Sequence, residues 1–169
     1  MLADRELMKL VNEGEKFGFC SSATTFFADV VTKIDSPSAA SDLGRVFFVF
    51  KAPARLPPEE FSRELEGVVD RCLALPICQR VLVRHSMLVP SKIGTDLQDN
   101  DGLLRALGLP TPEAVVVIIA EVESPDDFAE FFTDEFLVKE VVKEVKDKFE
   151  FHLNGVCFLG SVESKVNDL

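Results

Sequence analysis

Tryptophan and tyrosine are absent from this chain, and all fifteen of its aromatic residues are phenylalanine. The protein therefore has negligible absorbance at 280 nm. An all-phenylalanine composition has two readings: a site handling oxidants or radicals excludes easily oxidised rings, or Phe simply serves as the bulky core residue. Histidine is scarce too, with only His85 and His152. The four cysteines, Cys20, Cys72, Cys78 and Cys157, form neither a CxxC pair nor a metal-ligand spacing with those histidines. They read as reduced, mostly buried small apolar residues, and no disulfide is expected.

Other absences narrow the function. The chain has no G-x-G-x-x-G after a strand, no G-x-x-x-x-G-K-[ST], no H-E-x-x-H and no G-x-S-x-G, which disfavours nucleotide-dependent chemistry and the common hydrolases. The longest apolar run, Ala114 to Ala120, is far too short to span a bilayer. The start, Met1-Leu-Ala-Asp-Arg-Glu, carries charges where a secretory signal needs an apolar stretch, so a cytoplasmic protein is expected. Bases number 18 against 29 acids, and the resulting net charge of −11 repels phosphate backbones and anionic lipid. Neither nucleic acid nor a membrane is an expected partner. The acidic stretch Asp96 to Asp101 lacks the EF-hand spacing and has no second cluster to support it, so no metal and no cofactor are expected.

What is present is one plan used twice: an apolar strand, a proline, two adjacent acids, a phenylalanine and an amphipathic helix. The first copy runs from Arg45–Phe50 into Pro58-Glu-Glu-Phe61, the second from Ala114–Ala120 into Pro125-Asp-Asp-Phe128. Proline loses nothing in a first helical turn, and carboxylates there face the positive end of the helix dipole. Ser124 is a natural N-cap, with Asp127 where a capping-box acid belongs. Phe61, Leu65, Val68, Val69, Cys72 and Leu75 draw one stripe along the first helix. Phe128, Phe131, Phe132, Val138, Val141, Val142, Val145 and Phe149 do the same in the second helical region, where Glu144 and Lys148 are spaced to pair on a solvated face. Apolar strands follow at Val81–Val89 and Val156–Val162, giving a split βαβ plus βαβ layout. A chain of 169 residues buries about 70% of its unfolded surface, enough for one compact domain without staples.

The remaining segments read as follows. Residues 3–13 predict a short helix closing at Gly14, residues 17–34 a short helix or strand, and 36–41 a linker. Pro90 to Pro112, with a helical turn or two at Leu103–Leu107, is either a lid or cavity rim or a tolerated surface insertion.

Alternation assigns the strand faces. Val46, Phe48 and Phe50 should pack on the helices, leaving Arg45, Phe47, Val49 and Lys51 on the other side. Val117 and Ile119 share a face with Glu121. Apolar residues mixed with a few ionisable ones suit a cavity or dimer interface, where the candidates are Lys51, Glu121 and either Arg84 or His85, depending on register. His85 shares its face with Met87. A histidine in an apolar cavity serves as a general acid or base, or as a hydrogen-bonded structural residue. His152 lies at a helix end, where it stabilises the C-terminus.

Residues 44 to 165 resemble the dimeric α+β barrel superfamily, and most closely its EthD-like branch. The resemblance rests on Phe50-Lys51-Ala-Pro53 followed by Leu56-Pro-Pro-Glu-Glu-Phe61, and on Ile119 to Phe128 followed by a charged helix to Asp147-Lys148-Phe149. It implies an α+β ferredoxin-like βαββαβ fold over 44–169, with the insertion at 90–112 and an N-terminal extension at 1–43. It further implies a homodimer in which two four-stranded antiparallel sheets enclose an apolar cavity. Histidines that family members carry near the places of Val68, Val69 and Phe136–Val138 are replaced here by apolar residues, so their chemistry does not transfer.

The function expected on this basis is cofactor-independent isomerase, cyclase or lyase chemistry on an apolar small molecule. His85 moves a proton, Arg84 or Lys51 stabilises an oxyanion, and Glu121 completes the ionisable set. Phe47, Val49, Met87, Val117 and Ile119 hold the substrate. The alternatives are a non-catalytic, small-molecule-binding or stress-associated dimer, and a haem-using barrel relative with His85 or His152 as axial ligand.

Overall fold

The computed structural model describes residues 28–38, 40, 43–91 and 113–160. The chain divides into two compact units, one made of residues 1–29 and 90–114 and the other of 30–89 and 115–169, and nearly all described residues belong to the second. The helix expected over 3–13, the turn at Leu103–Leu107 and, past Ser91, the Pro90–Pro112 lid or insertion lie outside the described residues.

The described elements are β1 (Ala28–Asp35), β2 (Gly44–Lys51), α1 (Pro58–Leu73), α2 (Pro76–Val81), β3 (Leu82–Pro90), β4 (Val115–Val122), α3 (Pro125–Thr133), a π-helical segment (Leu137–Val142), α4 (Lys143–Phe149), α5 (Phe151–Asn154) and β5 (Gly155–Gly160). They form an α+β structure on one open sheet ordered β1-β3-β4-β2-β5. β2 pairs antiparallel with β4 and β5, and β3 pairs antiparallel with β4. The sheet thus has five strands where four were expected. The addition is β1, whose Val-Val-Thr run favours a pleated backbone. Contacts that fasten it include Ser36 N–H, which donates to the Val83 carbonyl at 2.9 Å, and Lys33, which reaches Glu66 and Asp70 on α1 at 2.6 and 2.9 Å. The four-stranded plan came from the twice-used strand and helix unit, whose first strand begins at Arg45, and it left residues 17–34 as a separate short helix or strand.

β4 is the central strand, and seven of its eight residues are buried, on both faces. That explains why its sequence is a continuous apolar run with Glu121 as its one charge. α1 begins at Pro58, carries Glu59 and Glu60 in its first turn, and buries Phe61, Leu65, Val68, Val69 and Leu73. It ends before Pro76, which holds Leu75 in an extended conformation and starts α2, a short helix that takes Val81 out of the expected strand. The N-terminus of α3 carries the expected capping box: Ser124 Oγ accepts from Asp127 N–H at 3.3 Å, and Asp127 Oδ2 accepts from Ser124 N–H at 3.0 Å.

The second helical region is broken. Asp134 leaves the helical conformation at ψ 118° after Thr133, and its Oδ1 accepts from Leu137 N–H at 2.8 Å, opening the π-helical segment. Glu144 and Lys148, expected to pair with each other, instead tie α4 to α1 through Arg71 at 2.6 Å and Glu64 at 3.3 Å. Phe61 and Phe149, both fully buried, meet edge to face at 5.7 Å and lock the two helices together over the core.

Candidate functional site: an apolar cavity under the helices

Register decides which side chains meet. On β2, Val46, Phe48 and Phe50 lie opposite Ala120, Ile118 and Val116 of β4, and this face carries the helices, as alternation predicted. On β3 the ladder is interrupted between Leu82, opposite Val122, and Arg84, opposite Glu121. Unbulged pairing from Leu82 onward would set Arg84 opposite Ala120, on the helix side. The extra residue instead puts His85 opposite Ala120 and Arg84 opposite Glu121. One irregularity therefore sends the imidazole under the helices and the guanidinium to the far face.

The expected catalytic set is divided accordingly. Arg84, Glu121 and Lys51 stand on the face turned away from the helices, together with Phe47, Val49, Val117 and Ile119. His85 stands on the helix side with Met87, which is fully buried in the core. The far-face charges form one chain across four strands. Asp35 accepts from Arg84 Nε at 3.2 Å, Arg84 Nη1 lies 3.5 Å from Glu121 Oε2, and Arg45 Nε donates to Glu121 Oε1 at 2.5 Å. With a guanidinium on either side, the buried Glu121 carboxylate is a structural counter-ion. Beside this chain, Phe47 stacks on Phe158 with ring centroids 4.9 Å apart.

Beneath the helices lies a cavity of about 390 Å³. Its floor is the sheet, at Phe48, Ile118, Ala120 and His85, and its walls include Val68 of α1 with Val141 and Val145 of the second helical region. Beyond the break at Asp134, the π-helical segment and α4 pack on α1, α3, α5 and each other, and they present short β-branched valines to the cavity. Spacing had marked Val141 and Val145 as an apolar stripe. It carried no sign that the stripe overhangs a void, nor that Cys72, His152 and Cys157 reach the same space.

His85 is the buried polar group of this cavity, only 4% exposed. Its Nδ1 has no hydrogen-bond partner among the described residues. Burial, helped by the nearby Lys33 cation and opposed by Asp70, pushes its pKa down to about 4, so the ring is neutral at physiological pH. For Lys33 burial works downward, but the hydrogen bonds from its ammonium to Glu66 and Asp70 outweigh it and raise the pKa. A neutral imidazole offers one donor and one acceptor. His152 sits in the last turn of α5, the helix-end position expected for it.

Phe151 shapes one wall. Its ring packs on Phe50 at 4.6 Å and on Phe48 at 6.4 Å, and it lies so close to Gly155 that a Cβ at that position would strike the ring. Gly155→Ala is therefore expected to lower stability by about 1–3 kcal/mol through a displaced Phe151. Denaturant unfolding followed by far-ultraviolet circular dichroism measures it, and an unchanged midpoint would show that the ring has room to move.

Comparisons with protein-family models, curated proteins and solved structures find no match. The site must be read from its own residues. Among the described residues, no group of three or more His, Cys, Asp or Glu is placed to hold a metal ion, and no helix is long and apolar enough to cross a membrane.

Proposed function

We propose that this protein binds an apolar small molecule, carrying a single hydrogen-bonding group, in the cavity between its helices and its sheet. The observation that carries this reading is a 390 Å³ apolar cavity with neutral His85 in its floor, the Nδ1 of that ring having no hydrogen-bond partner among the described residues. That size lies in the range of small-molecule sites, which pair mostly apolar walls with a few placed polar groups. A ligand hydroxyl or carbonyl that bonds His85 would relieve the cost of a buried nitrogen without a partner. Acid/base catalysis has less support. It would need His85 beside Arg84, Lys51 or Glu121, and the register puts His85 on the helix face and the other three on the opposite face.

The ferredoxin-like reading belongs to the same proposal. The order β3-β4-β2-β5, with antiparallel pairing of β3 to β4, β4 to β2 and β2 to β5, is the order that two interleaved βαβ units generate, and it supports an EthD-like barrel plan with β1 added at one edge. The half-exposed Phe158 and Val156 on the far face support a homodimer joined through that face.

Native mass spectrometry of freshly purified full-length protein tests both parts. The expected spectrum shows a dimer whose mass exceeds that of the chains by a small organic molecule, with the excess lost in His85→Leu. A monomer without added mass, which also fails to take up small aromatic or aliphatic alcohols, would reject the reading.

A further inference from the structure

Cys72 stands near the C-terminal end of α1 and Cys78 in the first turns of α2, with the Ala74–Leu75 corner between them. That corner folds the two helices onto each other and brings the sulfurs to 3.7 Å, in contact as a hydrogen-bonded thiol pair. Both are free thiols, and their surroundings differ in a useful way. Cys78 is fully buried, whereas Cys72 is half-buried and lines the cavity. The hydrogen bond with Cys78 lowers the Cys72 pKa against the effect of burial, while the same contact and burial raise that of Cys78.

We propose that Cys72 and Cys78 form a redox-active thiol pair, in which Cys72 is the residue oxidised by hydrogen peroxide and Cys78 is the resolving residue that closes an intramolecular disulfide. Cys72 loses its proton and its thiolate attacks one peroxide oxygen. The O–O bond breaks, Cys72 becomes a sulfenic acid, and the departing hydroxide takes up the proton as water. Cys78 sulfur then attacks Cys72 sulfur, the S–O bond breaks, and the hydroxyl leaves as a second water with the Cys78 proton. Two thiols and one peroxide thus give one disulfide and two waters, the thiols being oxidised by two electrons and the peroxide reduced by two. From 3.7 Å the sulfurs approach by roughly 1.7 Å to reach bonding distance. The step does not depend on what the cavity binds.

The pair lies within one tryptic peptide, Cys72 to Arg80, bounded by Arg71 and Arg80. Reduced full-length protein is exposed to a small excess of hydrogen peroxide, alkylated, digested and weighed. The expected product is that peptide, unalkylated and lighter by two hydrogens, restored to the dialkylated form by prior dithiothreitol. In Cys78→Ser the disulfide is lost and Cys72 accumulates as a sulfenic acid trapped by a cyclic diketone. In Cys72→Ser, Cys78 stays alkylatable at the same peroxide dose. Recovery of the wild-type peptide fully dialkylated, at a dose that oxidises the exposed Cys157, would overturn the proposal. So would oxidation of Cys78 in the absence of Cys72. Circular dichroism confirms that each serine variant is folded.

Discussion

Phe61→Ala is expected to lower the unfolding free energy by about 4 kcal/mol. The side chain is fully buried in the first turn of α1, within the main apolar cluster, and its ring meets Phe149 edge to face at 5.7 Å. Truncation removes the transfer energy of the ring and leaves a hole that α1 and α4 cannot close. Three ion pairs or hydrogen bonds hold those elements in place around it: Arg71 with Glu144, Lys148 with Glu64, and Arg55 with the Lys148 carbonyl. These links are exposed and contribute little themselves, so they will not replace the ring. Because the chain has no tryptophan, unfolding is followed by far-ultraviolet circular dichroism in a denaturant series. A loss below about 1 kcal/mol would mean that the helix pair repacks freely over the sheet.

The second large effect is a pH dependence carried by His85. Its pKa in the folded protein is about 4, against an ordinary 6.5 once the chain unfolds. The unfolded state therefore takes up the proton first as the solution is acidified. Stability from the neutral ring is intact above pH 6.5, falls as the pH drops from 6.5 toward 4, and stays lost below. Spread over that window, the loss amounts to about 3 kcal/mol. Carboxylates titrate in the lower part of the same range, so the measurement is a comparison with His85→Leu, which keeps their contribution and removes this one. At neutral pH the variant should be as stable as the parent or slightly more so, since it deletes a buried nitrogen that has no partner among the described residues. The two stability curves should then diverge on acidification. Parallel curves would mean that the imidazole is solvated, and the polar handle of the cavity would be lost with it.

Much of the frame was legible in the letters, and the site was not. Helix starts are written locally: Pro58 with Glu59 and Glu60, and Ser124 with Asp127, specify first turns through backbone and carboxylate chemistry alone. Strand faces of β2 and β4 follow from simple alternation, which these strands obey without interruption. β3 does not obey it. Arg84 and His85 are neighbours of similar character, and nothing in Val81–Val89 marks where a residue will be squeezed out of the ladder. The irregularity falls at the start of β3, directly after α2 hands the chain to the strand at Leu82. The letters left the β1 region open as a short helix or strand and did not place it in the sheet, for another reason. Its partner is β3, some fifty residues away, and its anchor is the reach of Lys33 to Glu66 on α1. The cavity was invisible because a void is a relation between layers. Valines at helical spacing look the same whether they touch the sheet or overhang it.

A titration of methyl-labelled protein with a small aromatic probe, read by nuclear magnetic resonance, tests the central claim most directly. Apolar cavities of this kind take up benzene-sized molecules. If the space under the helices is a binding site, the methyls of Val68, Ile118, Val141 and Val145 should shift together and saturate with one affinity, while Val156 and Leu159 on the exposed edge strand stay still. Shifts that never saturate, or that appear on the edge strand and not under the helices, would contradict it.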